Sequence, residues 1–178
     1  MNGRVQMGGL TSIAGRPAAG AIGGAAGTLA MDLVWYARYR RGGGTQGFID
    51  WETAAGTTSY EDASAPGQVG RKLIVAVLGK EPPASSARAI TNVVHWATGV
   101  QWGVAYAAAL PVVRRLGTLP GGVGLAAVAF GASYVVLPAL GVYKPIWEYD
   151  RDVIVKDATA HTAYGLTAAA VASALARG

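Results

Sequence analysis

Apolar and polar positions alternate along this chain on the scale of whole helices rather than single residues. Four runs, at about 17–36, 89–113, 119–142 and 153–176, are almost free of charge. Each is close to the roughly 20 residues, about 30 Å of helix, that cross a bilayer core. The first is mostly Ala and Gly and ends in Trp35, Tyr36, Arg38, Tyr39, Arg40 and Arg41, an aromatic and basic rim that marks a retained helix end rather than a cleaved signal peptide. The second follows Ser85 and Ser86, either of which suits an N-cap, and closes at Arg114 and Arg115. In the third, Pro138 predicts a kink or the end of the helix. The connector YKPIWEYDRD then puts Tyr143, Trp147 and Tyr149 at interfacial positions, and the fourth run ends at Arg177.

The stretch 37–88 is polar, with turn chemistry at Gly42, Gly43 and Gly44 and at Pro82 and Pro83. Inside it, Ala65-Pro66 opens a short helix at about 66–79, in which Val69, Leu73, Ala76 and Val77 share a face beside Arg71 and Lys72. That pattern fits an interfacial helix lying on lipid headgroups and equally a plain helix packed on the bundle end. Phe48, Ile49 and Trp51, ahead of Glu52, predict a short surface turn, and the Gly-rich residues 1–16, charged only at Arg4 and Arg16, a weakly ordered lead. The expected fold is all-α: a single domain over 1–178, an integral membrane bundle of four transmembrane helices with a long polar loop between helices 1 and 2.

Composition agrees with that pattern. Of the 178 residues 52% are hydrophobic and only 14% charged, and the mean hydropathy is +0.31, so charge is too scarce to cover a soluble surface. The net charge of +5 does not point to nucleic acid, because Lys and Arg flank the apolar runs instead of forming a stripe. The partner they imply is the lipid bilayer. Gly20, Gly23, Gly24 and Gly27 repeat at small-xxx-small spacing, as do Gly99 and Gly103. These are candidate helix-packing positions, within one chain or in a homo-oligomer or larger membrane complex.

The chain has no cysteine, and no GxSxG, HExxH, P-loop or Rossmann signature, so enzymatic activity is not expected. Helical spacing of about 100° per residue puts Asn92, His95, Gly99, Gly103 and Tyr106 on one stripe of the second run, with Trp96 and Trp102 at its edges and Gln101 opposite. On the fourth run it groups Asp157, His161, Tyr164, Gly165 and Ala168. Asp32, His95 and His161 each lie about five or six residues, roughly 8 Å, inside the same end of their helices. Asp32, Asn92, His95, Asp157 and His161 thus form a candidate intramembrane polar layer, and ionisable residues at such depth mark a functional-site hypothesis. Three readings stay open: hydrogen bonding within the bundle, a proton or polar-solute pathway, and a cofactor or metal held by His95 and His161. In the last, each imidazole gives one axial bond to a haem, whereas zinc also needs Asp32 or Asp157. The residues do not by themselves require a cofactor.

The stretch VVLPALGVYKPIWEYDRDVIVKDATAHTAYG over 135–165, together with NVVHWATG over 92–99, resembles the YagU-like family of small bacterial inner-membrane proteins. The shared pattern is a span ending in Pro-x-x-Gly (Pro138 to Gly141), a connector with Pro145, Trp147 and Tyr149, then Asp157 and His161 opening the last helix. Asn92, His95 and Trp96 echo the family with the order of Asn and His reversed, and the long loop has no counterpart. The resemblance covers about the last half of the chain and implies a multi-pass protein of the inner membrane. Four spans place both termini on one side with Arg4, Arg16, Arg114, Arg115 and Arg177, and the remaining ten of the 15 basic residues opposite. The positive-inside rule then puts the long loop in the cytoplasm and the termini outside. The expected function is that of a non-enzymatic helix-packing accessory or oligomeric membrane component. The alternative is a proton or polar-solute pathway, or a haem-binding module, built on the two histidines.

Overall fold

The computed structural model of the chain describes residues 15–176. The expected N-terminal lead, apart from its last two residues, and Arg177 lie outside the described residues. These form six α-helices, α1 (Gly15–Arg41), α2 (Phe48–Glu52), α3 (Ala65–Leu78), α4 (Ala87–Val113), α5 (Thr118–Ala139) and α6 (Arg151–Leu175), and no strand. Two of them, α1 and α5, are long and apolar enough to cross a membrane. The other two long helices fall short because their apolar runs are diluted by Asn92, His95 and Gln101 in α4 and by Asp157 and His161 in α6.

Small residues decide which helices meet. α1 carries two glycine faces: Gly20 and Gly24 abut Gly99, Gly103 and Ala107 of α4, while Gly23 and Gly27 abut Tyr164, Ala168 and Ala172 of α6. Contact numbers fall on α4 and α6 as they rise on α1, so both neighbours run antiparallel to it. Gly122 and Gly165 make the same close approach between α5 and α6. α1 and α6 are therefore the central pair, flanked by α4 and α5, which scarcely touch each other. The packing face proposed for Gly20 to Gly27 is buried inside one chain and is closed to a second copy.

The interior is built from Ala19, Ala107, Ala168, Ala169 and Ala172, with Leu110 the largest fully buried side chain, whereas Ile22, Leu33, Val93, Val112, Val128 and Val135 are each half exposed or more. Small residues inside and large aliphatics outside reverse the arrangement of a water-soluble core.

Two local expectations change, and the one at Pro138 resolves to a helix end. α3 begins with Pro at its N-terminus and ends at Gly79, whose φ of 64° lets its N–H bond the Val75 carbonyl. It docks on α4 through Gly67 and Gly70, against Thr91, Ile90 and Val94, so Leu73 and Val77 of the predicted apolar face stay 53% and 78% exposed. Glycine allows the closer approach, and that outweighs burying two aliphatic side chains. Ser86 precedes α4 without capping it: its Oγ donates to the Pro83 carbonyl at 2.7 Å and shares a hydrogen bond with the Tyr60 hydroxyl at 2.8 Å. Pro138 sits in the last turn of α5, which stops at Ala139.

Candidate functional site

His95 of α4 and Asp32 of α1 meet because glycine lets their backbones run so close. Asp32 Oδ2 lies 2.9 Å from His95 Nε2, and the aspartate is 4% exposed. One turn deeper, the Tyr164 hydroxyl of α6 donates to the Gly99 carbonyl at 2.6 Å, and Thr28 Oγ1 donates to the Gly24 carbonyl at 2.9 Å. The first bond ties α6 to α4 just below the pair, and the second turns the Thr28 hydroxyl back onto its own helix.

The third member comes from the loop. α1 ends in a tight turn in which Gly42 and Gly44 donate to the carbonyls of Arg38 and Tyr39. The Tyr39 hydroxyl then accepts hydrogen bonds from the Thr45 and Gln46 amides. Tyr36, Tyr39, Phe48 and Trp51 form an aromatic cluster, with the Tyr36 and Phe48 rings 5.2 Å apart, that docks α2 on the end of α1. From α4, Arg88 donates to the carbonyl and hydroxyl of Thr53 at 2.9 and 2.8 Å, and Asn92 Nδ2 donates to the same carbonyl at 3.0 Å. Glu52 is thereby held over the Asp32–His95 pair, and one ligating atom from each of Asp32, Glu52 and His95 lies within 4.8 Å of the others. Burial, and then the neighbouring Asp32 carboxylate, push the Glu52 carboxyl above its ordinary range.

On the opposite wall, His161 Nδ1 lies 3.1 Å from Asp157 Oδ1 and 3.0 Å from the Asp157 carbonyl. Two acceptors at one nitrogen place the proton on Nδ1 and leave Nε2 for another partner. The Phe130 ring stands edge-on to the imidazole at 5.5 Å. Tyr134, Tyr143 and Tyr149 cluster with ring centroids 5.7 to 6.1 Å apart and close the Asp157 side. Tyr143, in the connector, is pushed up to about 12 by burial and then by the Asp157 charge.

Both pairs line one cavity of about 500 Å³, in the gap that α4 and α5 leave over α1 and α6. Its walls are apolar at Trp35, Trp102 and Val136 and polar at Thr98 and Ser133, with Asp32, His95, Asp157 and His161 facing in. Of the proposed layer, the structure brings together Asp32 with His95 and Asp157 with His161. Asn92 is not among them: its amide reaches Thr53 and Arg88, so it positions the loop that carries Glu52. Glu52 itself was expected on a surface turn. The signal for it is the FIDWE segment, an aromatic helical turn with a carboxylate inside an otherwise polar loop.

The donor set does not suit a haem between the two imidazoles. His95 engages Asp32 through Nε2, and a haem iron held by the two imidazoles would take that nitrogen without taking Asp32 as a ligand beside it, so the carboxylate would lose its partner. What the arrangement offers is a mostly apolar recess, open between two helices, that is lined at two places by an Asp–His pair. In comparisons with known proteins the chain matches no family model, no curated protein and no solved structure.

Proposed function

We propose that the chain is a four-span protein of the bacterial inner membrane, in which α1, α4, α5 and α6 cross the bilayer and the groove between α4 and α5 binds a small cationic or hydrogen-bond-donating solute. The observation that carries this reading is that both histidines of the chain, each paired with an aspartate, line the same cavity. Four spans are supported by the exposed aliphatics on all four long helices around an alanine and glycine interior. α4 and α6 then turn His95, Asp157 and His161 toward the cavity, as intramembrane ionisable residues do, while Gln101 of α4 stays exposed. The likeness of 135–165 to YagU-like proteins points to the same membrane. No catalytic nucleophile is needed for this role, and the function is binding rather than turnover.

Because the chain contains no cysteine, single cysteines report on it cleanly. Lys80→Cys, in the loop before α4, is expected to react with a membrane-impermeant maleimide only after cells are opened. Leu116→Cys, at the other end of α4, is expected to react in intact cells. Equal labelling of both would sink the four-span topology. For the groove, Ser133→Cys faces Asp32 and Asp157 across the cavity. An acid-lined cleft concentrates cations, so the cationic methanethiosulfonate should modify this thiol about tenfold faster than the anionic one, after correction for their rates with a free thiol. Equal corrected rates would remove the cation-binding reading.

A further inference from the structure

Glu52 Oε1 is shut off from solvent and has no hydrogen-bond partner, alone among buried side-chain oxygens and nitrogens of the described residues. Leaving a buried carboxyl oxygen unpartnered costs about 1–3 kcal/mol, more when it is charged. Native structures keep few such atoms, and an ion is one of the recognised reasons for them. The surroundings say which ion. The orphan oxygen belongs to a residue whose ligating atom lies within 4.8 Å of those of Asp32 and His95, so two carboxylates and one imidazole converge from α1, α2 and α4. Asp32 Oδ2 and His95 Nε2 are 2.9 Å apart, close enough to coordinate one centre side by side.

The geometry points to a divalent first-row transition metal, of the class of Mn²⁺, Fe²⁺ and Zn²⁺, bound by Asp32, Glu52 and His95. The ligand types fit that class: imidazole and carboxylate together suit these ions, whereas Mg²⁺ and Ca²⁺ prefer all-oxygen shells. Three protein ligands leave at least one coordination position open. Asp32 and His95 both line the cavity, which gives the ion an entry path and the open position a place to face. The outer shell is present as well. Arg88 and Asn92 hold Thr53, the residue after Glu52, so the carboxylate is positioned through its backbone, and the Trp96 indole borders it. α2 has only five residues and lies over the end of α1, so a bound ion would fasten it to α4 and α1. Metal binding is therefore also a clamp that holds α2 against the two long helices. The second pair, Asp157 and His161, is not among the residues that converge on the metal.

This inference rests on the groove reading above, and its test separates the two. The detergent-purified full chain is stripped with EDTA, dialysed against Zn²⁺ or Mn²⁺, and analysed for bound metal, with the Mn²⁺ complex followed by electron paramagnetic resonance. One ion per chain is expected in the parent protein. Glu52→Gln keeps the shape of the side chain and should weaken binding by more than about a hundredfold, beyond the 10–100-fold typical of losing an outer-shell partner. Asp50→Asn, which removes an exposed carboxylate from the same short helix, should bind as the parent does. Equal binding by Glu52→Gln, or equal loss in Asp50→Asn, would overturn the assignment. If the parent takes up no metal while Ser133→Cys keeps its preference for the cationic reagent after EDTA, the metal site fails and the groove stands. If the preference is absent as well, both fail.

Discussion

Gly103→Leu is expected to pull α4 away from α1 and to cost about 3 kcal/mol or more, at the upper end for an overpacked core. The reason is what lies around the position. A Cβ there would meet the Gly20 carbonyl oxygen and stand 2.5 Å from the backbone nitrogen and Cα of Gly24. Backbone atoms cannot rotate aside as a side-chain end can, so the helices must separate. Separation reaches the site, because α1 and α4 carry Asp32 and His95, whose 2.9 Å approach depends on the same close packing. Gly124→Leu on α5 is the matched control, since a Cβ there meets nothing within 4 Å. Unfolding of detergent-solubilised protein, by heat or by denaturing detergent, should show the first substitution far below the parent and the second within about 0.5 kcal/mol of it, as for surface changes that touch no special feature. Similar losses at both positions would mean that helix propensity, not interhelical clearance, sets the stability.

The same feature explains how much of the molecule was legible in its sequence. The four long helices follow from uncharged runs bounded by Arg and aromatic residues, and their observed limits differ from the expected ones mainly where rims remain helical, as at Tyr36 to Arg41 in α1. Arg38 shows why: its guanidinium lies 5.0 Å from the Trp35 ring and donates to the Lys156 carbonyl and Thr159 of α6, so the last turns of α1 are held by the bundle. Depth counting brought Asp32, His95 and His161 to one level because a helix rises by a fixed amount per residue.

Counting along helices says nothing about loops, and there the reading failed. Glu52 lies twenty positions after Asp32 and reaches it only because an aromatic cluster docks α2. Asn92 shares the helical stripe of His95, yet its amide bonds Thr53, since a stripe fixes direction but not the partner that arrives from elsewhere. In α3 the pattern marks Val69, Leu73, Ala76 and Val77 as one apolar face and leaves open whether the helix packs on the bundle, while the packing is made through Gly67 and Gly70. Periodicity finds large apolar residues, and in this molecule the close contacts are made by the smallest ones.

The Asp32–His95 pair predicts an asymmetry between its two halves. His95→Leu leaves Asp32, 4% exposed, beside the Glu52 carboxyl with no basic partner for either. Removing one member of a buried pair typically costs about 3–5 kcal/mol because the remaining charge is uncompensated. Asp32→Asn leaves an imidazole that can be neutral and an amide that can still bond it, so the loss should be near the 1 kcal/mol or so of one hydrogen bond. The double variant should recover much of what His95→Leu loses, since it removes the stranded carboxylate along with its partner. The three proteins and the parent make a double-mutant cycle, measured on EDTA-treated samples so that metal does not enter. A coupling of about 1–3 kcal/mol is expected for residues in direct contact. Additive losses, or a costlier Asp32→Asn than His95→Leu, would show that His95 does not compensate Asp32, and that the 2.9 Å contact is incidental to how the groove is held.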